Sequence, residues 1–177
     1  MAQVFVSIGS NIDPAKHICT ALDALQQRFA KLQISKVYQS TAVGFEGEDF
    51  LNLVVGFDCD CDVTELSECL RDIETRCGRE RSEAKFSART LDLDILTYGN
   101  QVIKIGRLDL PRDEITRYAF VLLPLVDIAA NEIHPLLQQP YWELWQNFDQ
   151  PDQPLWPVDF IWQSSLISSA GKINQYQ

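Results

Sequence analysis

Histidine is nearly absent from this chain, with only His17 and His134 in 177 residues. Its five cysteines (Cys19, Cys59, Cys61, Cys69 and Cys77) are odd in number and contain no Cys-x-x-Cys pair. This inventory argues against a zinc centre and a disulfide framework, and it favours reading the cysteines as small apolar side chains. No apolar run reaches the length needed to cross a bilayer. The first residues, Met-Ala-Gln-Val-Phe-Val-Ser, carry no basic segment ahead of an apolar one, so the expected compartment is the cytoplasm. Basic residues are scarce as well, and a net charge of −10 argues against general nucleic-acid binding. No Gly-x-x-x-x-Gly-Lys-Ser/Thr loop, kinase-type glycine-rich loop, repeat or low-complexity segment occurs.

The few cations that exist are collected in one place. Residues 71–117 hold ten of the fifteen Lys and Arg, alongside nine acids, and the remainder holds five against sixteen. A solvated surface explains such a stretch unless other chemistry accompanies it.

Hydrophobic periodicity gives the elements. Val4, Val6 and Ile8 alternate and then meet Gly9-Ser10-Asn11, which predicts a strand ending in a tight turn. Asp13-Pro14 reads as an N-cap and first helical residue, with Ile18, Leu22, Leu25 and Phe29 as the apolar stripe. Strands are expected near Gln33–Ser40 and over Phe50–Cys59. On the second, Leu51, Leu53, Val55 and Phe57 face one way and Phe50, Asn52 and Val54 the other. Asp62 and Glu65 form a capping box for a helix carrying Leu66, Leu70 and Ile73, which ends near Gly78. Thr90–Tyr98 is a fourth strand, residues 101–111 form short strands around Arg107, and Pro124–Ala130 a short helix. The order predicts an α+β fold, a ferredoxin-like β-α-β-β-α-β sandwich. Its antiparallel sheet has helices mainly on one face and leaves the other open for a site. Two regions follow: 1–136, which carries these elements, and 137–177, a C-terminal extension of unknown role holding all four Trp, with a short helix near Tyr141–Phe148.

Asp92-Leu93-Asp94 is the strongest local chemical feature. A period of two places both carboxylates on one face, where their repulsion favours a bound cation. Magnesium takes one or two carboxylates together with substrate phosphates. Just upstream lie Arg79, Arg81, Lys85 and Arg89, and guanidinium forks match phosphate oxygens. Fixed cations beside a metal site suit phosphoryl transfer, which runs mainly on positioning and electrostatics. Phe50 and Asn52 on the open sheet face form a second pair. An aromatic ring stacks on a flat heterocycle and an amide reads its edge.

The ordered set Gly9-Ser10-Asn11, Phe50-Leu51-Asn52, Gly78-Arg79-x-Arg81, Arg89-Thr90-Leu91-Asp92-Leu93-Asp94-Ile95, Phe120-Val121-Leu122-x-Pro124-Leu125 and His134-Pro135 resembles the 6-hydroxymethyl-7,8-dihydropterin pyrophosphokinase family over roughly residues 4–136. That resemblance implies transfer of the β,γ-pyrophosphoryl group of ATP to the pterin's hydroxymethyl oxygen, with release of AMP, in folate biosynthesis. It implies two magnesium ions on Asp92 and Asp94, and catalytic roles for Arg79, Arg89, Asp92 and Asp94. ATP would meet Glu74, Arg79, Arg81, Lys85, Arg89, Ile95, Arg107 and Arg112. The pterin would meet Ser40, Thr41, Val43, Phe50, Asn52 and Phe120, with the two phenylalanines sandwiching the ring. The expected partners are these small molecules, with neither nucleic acid nor membrane, and the expected state is a monomer or homodimer.

The chain departs from the family pattern at several loops. Phe86-Ser87-Ala88 stands where the family has Trp-Gly-Pro, Arg112 where it has His, Tyr118 where it has Arg, and Arg71 where it has Gln. The alternative reading is therefore a diverged paralogue that binds nucleotide or pterin with little transfer.

Overall fold

The computed structural model describes residues 1–42, 47–78, 90–150 and 152–171. The alternating N-terminal run forms β1 (Ala2–Ser10), followed by α1 (Pro14–Phe29), β2 (Gln33–Ile34), β3 (Tyr38–Ser40), β4 (Phe50–Cys59) and α2 (Val63–Arg76). Next come β5 (Asp92–Tyr98), the hairpin β6 (Ile103–Ile105) and β7 (Leu108–Leu110), then α3 (Glu114–Arg117) and α4 (Ala119–Ala129). The C-terminal stretch supplies α5 (Tyr141–Gln146), β8 (Leu155–Pro157), β9 (Phe160–Trp162) and β10 (Ser165–Ser168).

One antiparallel sheet organises the molecule, in the order β5-β1-β4-β3-β8 with β2 also beside β4. Its two faces are covered differently. Val4, Val6, Ile8, Leu53, Val55, Phe57, Leu91, Leu93 and Ile95 point toward α1 and α2, where Ile18, Leu22, Leu25, Leu66 and Leu70 complete the main core. Each fully buried aliphatic side chain there contributes roughly 2 kcal/mol. The capping box holds α2 as its sequence predicts: Asp62 Oδ1 accepts from the Thr64 and Glu65 amides, and Glu65 Oε2 accepts from the Asp62 amide.

The opposite face is not fully open. Phe5, Val54 and Leu96 pack there against Val121, Leu122, Leu125 and Val126 of α4. The expectation of helices mainly on one face thus holds for α1 and α2 and fails for α4. α4 also begins at Ala119, so Pro124 lies inside it rather than in its first turn. Eight of its eleven residues are buried, because it is enclosed between the sheet and α5. Such a helix has no polar stripe from which its limits could be read. Asp13 differs too. It adopts a left-handed conformation, φ 43°, and makes no side-chain cap bond, while Pro14 occupies the first turn as expected.

Residues 137–150 and 152–171 are built into this frame. β8 extends the sheet along β3, and Phe160 and Trp162 enter the main core. Trp162 Nε1 donates to Asp23 on α1 at 2.9 Å, and Ser168 Oγ accepts from the Val37 amide at 3.0 Å. Gly56 marks a close approach: a Cβ there would stand 2.8 Å from Cε1 of Phe5. Among the described residues, no helix is long and apolar enough to cross a membrane.

Candidate active site

Antiparallel register assembles the site on the sheet face that α4 covers only in part. Asp92 on β5 stands opposite Gly9 on β1, Gly9 opposite Asn52 on β4, and Asn52 opposite Tyr38 on β3. These four residues form one row across four strands. With strands about 4.8 Å apart, Asp92 and Asn52 lie about 10 Å apart with Gly9 between them. A Cβ at Gly9 would meet Asn52 Oδ1 at 3.4 Å and Phe50 Cδ1 at 3.9 Å, so glycine keeps the floor of this strip low.

The β4 end of the row is fixed by hydrogen bonding. Asn52 is 5% exposed, and its Nδ2 donates to Ser40 Oγ at 2.9 Å. That bond directs the carbonyl oxygen of Asn52 toward Gly9, where it is an acceptor for a ligand lying over β1. Phe50, opposite Ser40, is half-buried at the end of β4. Thr41 is exposed just beyond β3. Phe120, at the second position of α4, is partly buried and stacks on Tyr118 with centroids 5.0 Å apart.

The β5 end carries the charges. Asp92 and Asp94 point away from the main core that holds Leu91, Leu93 and Ile95. Behind them, the Leu93 amide donates to Oε1 of Glu74 on α2 at 2.8 Å. Further along, the β1–β5 pairing passes from Val6–Ile95 to Phe5–Thr97, so Leu96 has no partner on β1. Its carbonyl accepts the Arg112 amide at 2.9 Å instead. This bulge draws Arg112 alongside the strand. Arg112 Nη2 lies 2.8 Å from Glu114 Oε1 and 3.4 Å from Asp94 Oδ1. Burial works against the guanidinium charge, but the carboxylates of Asp94 and Glu114 outweigh it and raise its pKa. Among the described residues, Arg112 Nε and Glu114 Oε2 are buried without a hydrogen-bond partner.

The loop motifs around the row act as braces. Ser10 Oγ donates to the Thr90 carbonyl, and Asn11 Nδ2 donates to the Glu48 carbonyl at 3.1 Å. Both chain segments that flank the strip are thereby tied to the end of β1.

A family model for 7,8-dihydro-6-hydroxymethylpterin-pyrophosphokinase (HPPK) matches residues 5–130. The chain belongs to the HPPK family. A relative in Aquifex aeolicus, 2-amino-4-hydroxy-6-hydroxymethyldihydropteridine pyrophosphokinase, is 34% identical over 142 residues, covering 79% of this chain and 88% of that one. The enzyme of the same name in Pseudomonas aeruginosa is 36% identical over 133 residues, 73% of this chain and 82% of that one. Among solved structures, HPPK-DHPS in complex with substrates superposes with a TM-score of 0.72 at 11% identity, covering 94% of this chain and 48% of that one. Plasmodium falciparum HPPK-DHPS with pteroate gives 0.70 at 13% identity, covering 83% and 42%. This chain spans less than half the length of those two structures, and at such identities the likeness is one of fold.

Within this HPPK frame the structure gathers Ser40, Phe50, Asn52, Asp92, Asp94 and Arg112 along the two ends of one strip. Ile95 sends its side chain into the main core, so only its backbone can reach a ligand on the other face. Arg107 is exposed in the turn between β6 and β7. Glu74 is buried at 8% exposure and supports β5 from behind. Val43, Arg79, Arg81, Lys85 and Arg89 lie outside the described residues, as does Phe86. Sequence reasoning missed Gly9 as the floor of the strip and Glu114 as the partner of Arg112. The period-two pattern could have found Gly9. Nothing local marks Glu114, because Asp113-Glu114 reads as the polar start of a helix.

Proposed function

We propose that this chain carries out the HPPK reaction through the Asp92–Gly9–Asn52 row. ATP gives its β,γ-pyrophosphoryl group to the hydroxymethyl oxygen of 6-hydroxymethyl-7,8-dihydropterin, and AMP leaves. The row is the observation that carries this reading. It offers a hard anionic end for phosphates and their cation, a hydrogen-bonding and aromatic end for a flat heterocycle, and a glycine floor between them. The antiparallel order β5-β1-β4-β3, with α1 and α2 on one face, also supports the ferredoxin-like β-α-β-β-α-β reading of the frame.

Asp92 and Asp94 supply hard oxygen donors two residues apart on one face. Among the described residues, no group of three or more His, Cys, Asp or Glu side chains is placed to hold a metal alone. A pair of carboxylates suits magnesium, which completes its shell with substrate phosphates and water. In this reading Asp92 and Asp94 hold two ions, which when bound neutralise charge on the phosphate oxygens. Arg112, already drawn to Asp94, is placed to turn toward the nucleotide. Arg79, Arg81, Lys85 and Arg89 would add cations from the segment just before β5, with Arg79 and Arg89 acting on the transferred group. Arg107 completes the ATP set from its hairpin turn.

At the other end, Asn52 presents its carbonyl oxygen to the donor edge of the pterin, and Ser40 holds the amide in that orientation. Phe50 and Phe120 stack on the ring, and Thr41 and Val43 line its approach. The distance of about 10 Å between the ends matches the task of bringing a ring substituent to a phosphate chain. Incubation of the protein with ATP, magnesium and the pterin, scoring AMP against ADP, tests this. AMP formed only in the presence of pterin is the expected result. ATP bound without AMP formation would overturn it in favour of the diverged binding protein.

A further inference from the structure

Gln153 lies in the C-terminal stretch that the reaction, as described, does not use. Its Oε1 accepts the Ala119 amide at 2.8 Å, and its Nε2 donates to the Arg117 carbonyl at 2.8 Å. Arg117 is the last residue of α3 and Ala119 the first of α4, so one carboxamide satisfies the open backbone groups on both sides of Tyr118. Tyr118 itself makes no side-chain cap bond to α4. The cap comes instead from 34 residues further along the chain.

Two residues after Gln153, Leu155 begins β8 and pairs with Ser40 on β3. Two residues span at most about 7 Å. The same short length of chain therefore grips both the junction that aims Phe120 and the strand that carries Ser40, which in turn orients Asn52. That length is itself anchored. The Val158 amide donates to the Val37 carbonyl at 3.0 Å, and Trp162 donates to Asp23.

We infer that Gln153 is a positioning residue for pterin binding. The segment Gln153–Pro157 acts as a strap that sets the α4 wall of the pterin site, with Phe120, against the β3–β4 wall, with Ser40 and Asn52. This rests on the reading of Ser40, Asn52 and Phe120 as the pterin site. The carboxamide fixes Tyr118 in extended conformation, φ −123° and ψ 123°, and the Tyr118–Phe120 ring stack follows from that geometry. Without the clamp the first turn of α4 loses its cap, and Phe120 loses its fixed entry angle. At the ATP end of the row, Asp92 and Asp94 lie on β5, at the opposite edge of the described sheet from β8.

The test compares Gln153→Ala, Gln153→Glu and Phe120→Ala in the full chain, measuring KM for pterin, KM for ATP and the thermal midpoint. Gln153→Ala should raise the pterin KM about five- to tenfold and leave the ATP KM within about twofold, since the loss of one helix cap amounts to that range. Gln153→Glu keeps the acceptor for Ala119 but loses the donor to Arg117, and should fall between. Phe120→Ala should raise the pterin KM as well. If Phe120→Ala acts and Gln153→Ala does not, the strap is refuted alone. An equal rise in both KM values with a lowered midpoint would make Gln153 a merely structural residue, which also refutes it. If Phe120→Ala leaves the pterin KM unchanged, the pterin reading falls and the inference falls with it.

Discussion

The Leu93 amide, between Asp92 and Asp94, donates to the buried carboxylate of Glu74 at 2.8 Å. β5 is an edge of the main sheet, and this bond takes up an amide that β1 does not. The spacing and facing of the two aspartates are therefore held from behind by α2. Glu74→Ala should lower stability by about 2 kcal/mol, because a buried N–H loses a charged acceptor. Glu74→Gln keeps an acceptor and should cost less than half of that. Denaturant unfolding reads both, and equal losses in the two variants would show that the hydrogen bond is not what matters.

Asp94→Ala should reduce AMP formation by about 10³-fold at saturating magnesium, since it removes a donor for the ion that offsets phosphate charge. The fold should survive, because Arg112 keeps Glu114 as its counter-ion when Asp94 is gone. A thermal melt within a few degrees of the parent protein's checks this second half. Near-normal turnover would dismiss the metal role.

Arg112→Ala separates the same site's two uses of charge. The guanidinium serves as counter-ion to both Asp94 and Glu114. Its removal leaves the half-buried Glu114 without that cation, and should cost about 2 kcal/mol. Adding Glu114→Gln to Arg112→Ala should recover most of the loss. With the competing cation gone from Asp94, magnesium titrated without nucleotide should bind several-fold tighter, as read by calorimetry, while ATP binds more weakly. Unchanged magnesium affinity would mean that Arg112 does not guard the carboxylates.

Asp127 predicts a pH effect away from the chemistry. On α4, its Oδ2 accepts from Tyr38 Oη at 2.9 Å and from the Lys36 amide at 3.2 Å. Burial raises its pKa to about 6, against the lowering effect of those hydrogen bonds. The folded protein thus holds a proton that the unfolded chain, with a carboxyl near 4, has released. Between about pH 4 and pH 6 the folded state binds more protons, so this group's contribution to stability falls as pH rises through that window and is flat above it. The difference amounts to about 3 kcal/mol across the window. Asp127→Asn should flatten the dependence, and denaturation curves at pH 4.5 and 7 compare the two proteins. An identical pH slope in the variant would remove Asp127 as its source.

Much of this was legible in local pattern. The alternation on β4 put Asn52 and Phe50 on the face opposite Leu53 and Val55, and the structure does the same. The capping box of Asp62 and Glu65 was readable because both partners lie within one helical turn. The pairing of Asp92 with Asp94 followed from a period of two. Those features depend on neighbours in the chain, and such geometry is set by backbone sterics alone. What failed was of another kind. Asp13 carries the sequence of an N-cap, yet the chain's turn from β1 into α1 places it in a left-handed conformation. α4 carries apolar residues on all sides, so its sequence did not show where it starts.

The sequence by itself determined the strands and the two amphipathic helices of the main core, and it named both chemical pairs and the family. Periodicity and short motifs write these into contiguous residues. Only the tertiary structure decided how those pairs combine. The antiparallel register brings Asp92, Gly9 and Asn52 from three strands into one row. A bulge at Leu96 draws Arg112 to Asp94. Gln153 reaches back to cap α4 from a stretch whose residues look like an unassigned tail. Each of these contacts joins positions 18 or more residues apart in sequence or depends on how the sheet edge is completed. No local propensity encodes such a contact; it exists because burying the two apolar faces of one sheet leaves only this arrangement of strand neighbours.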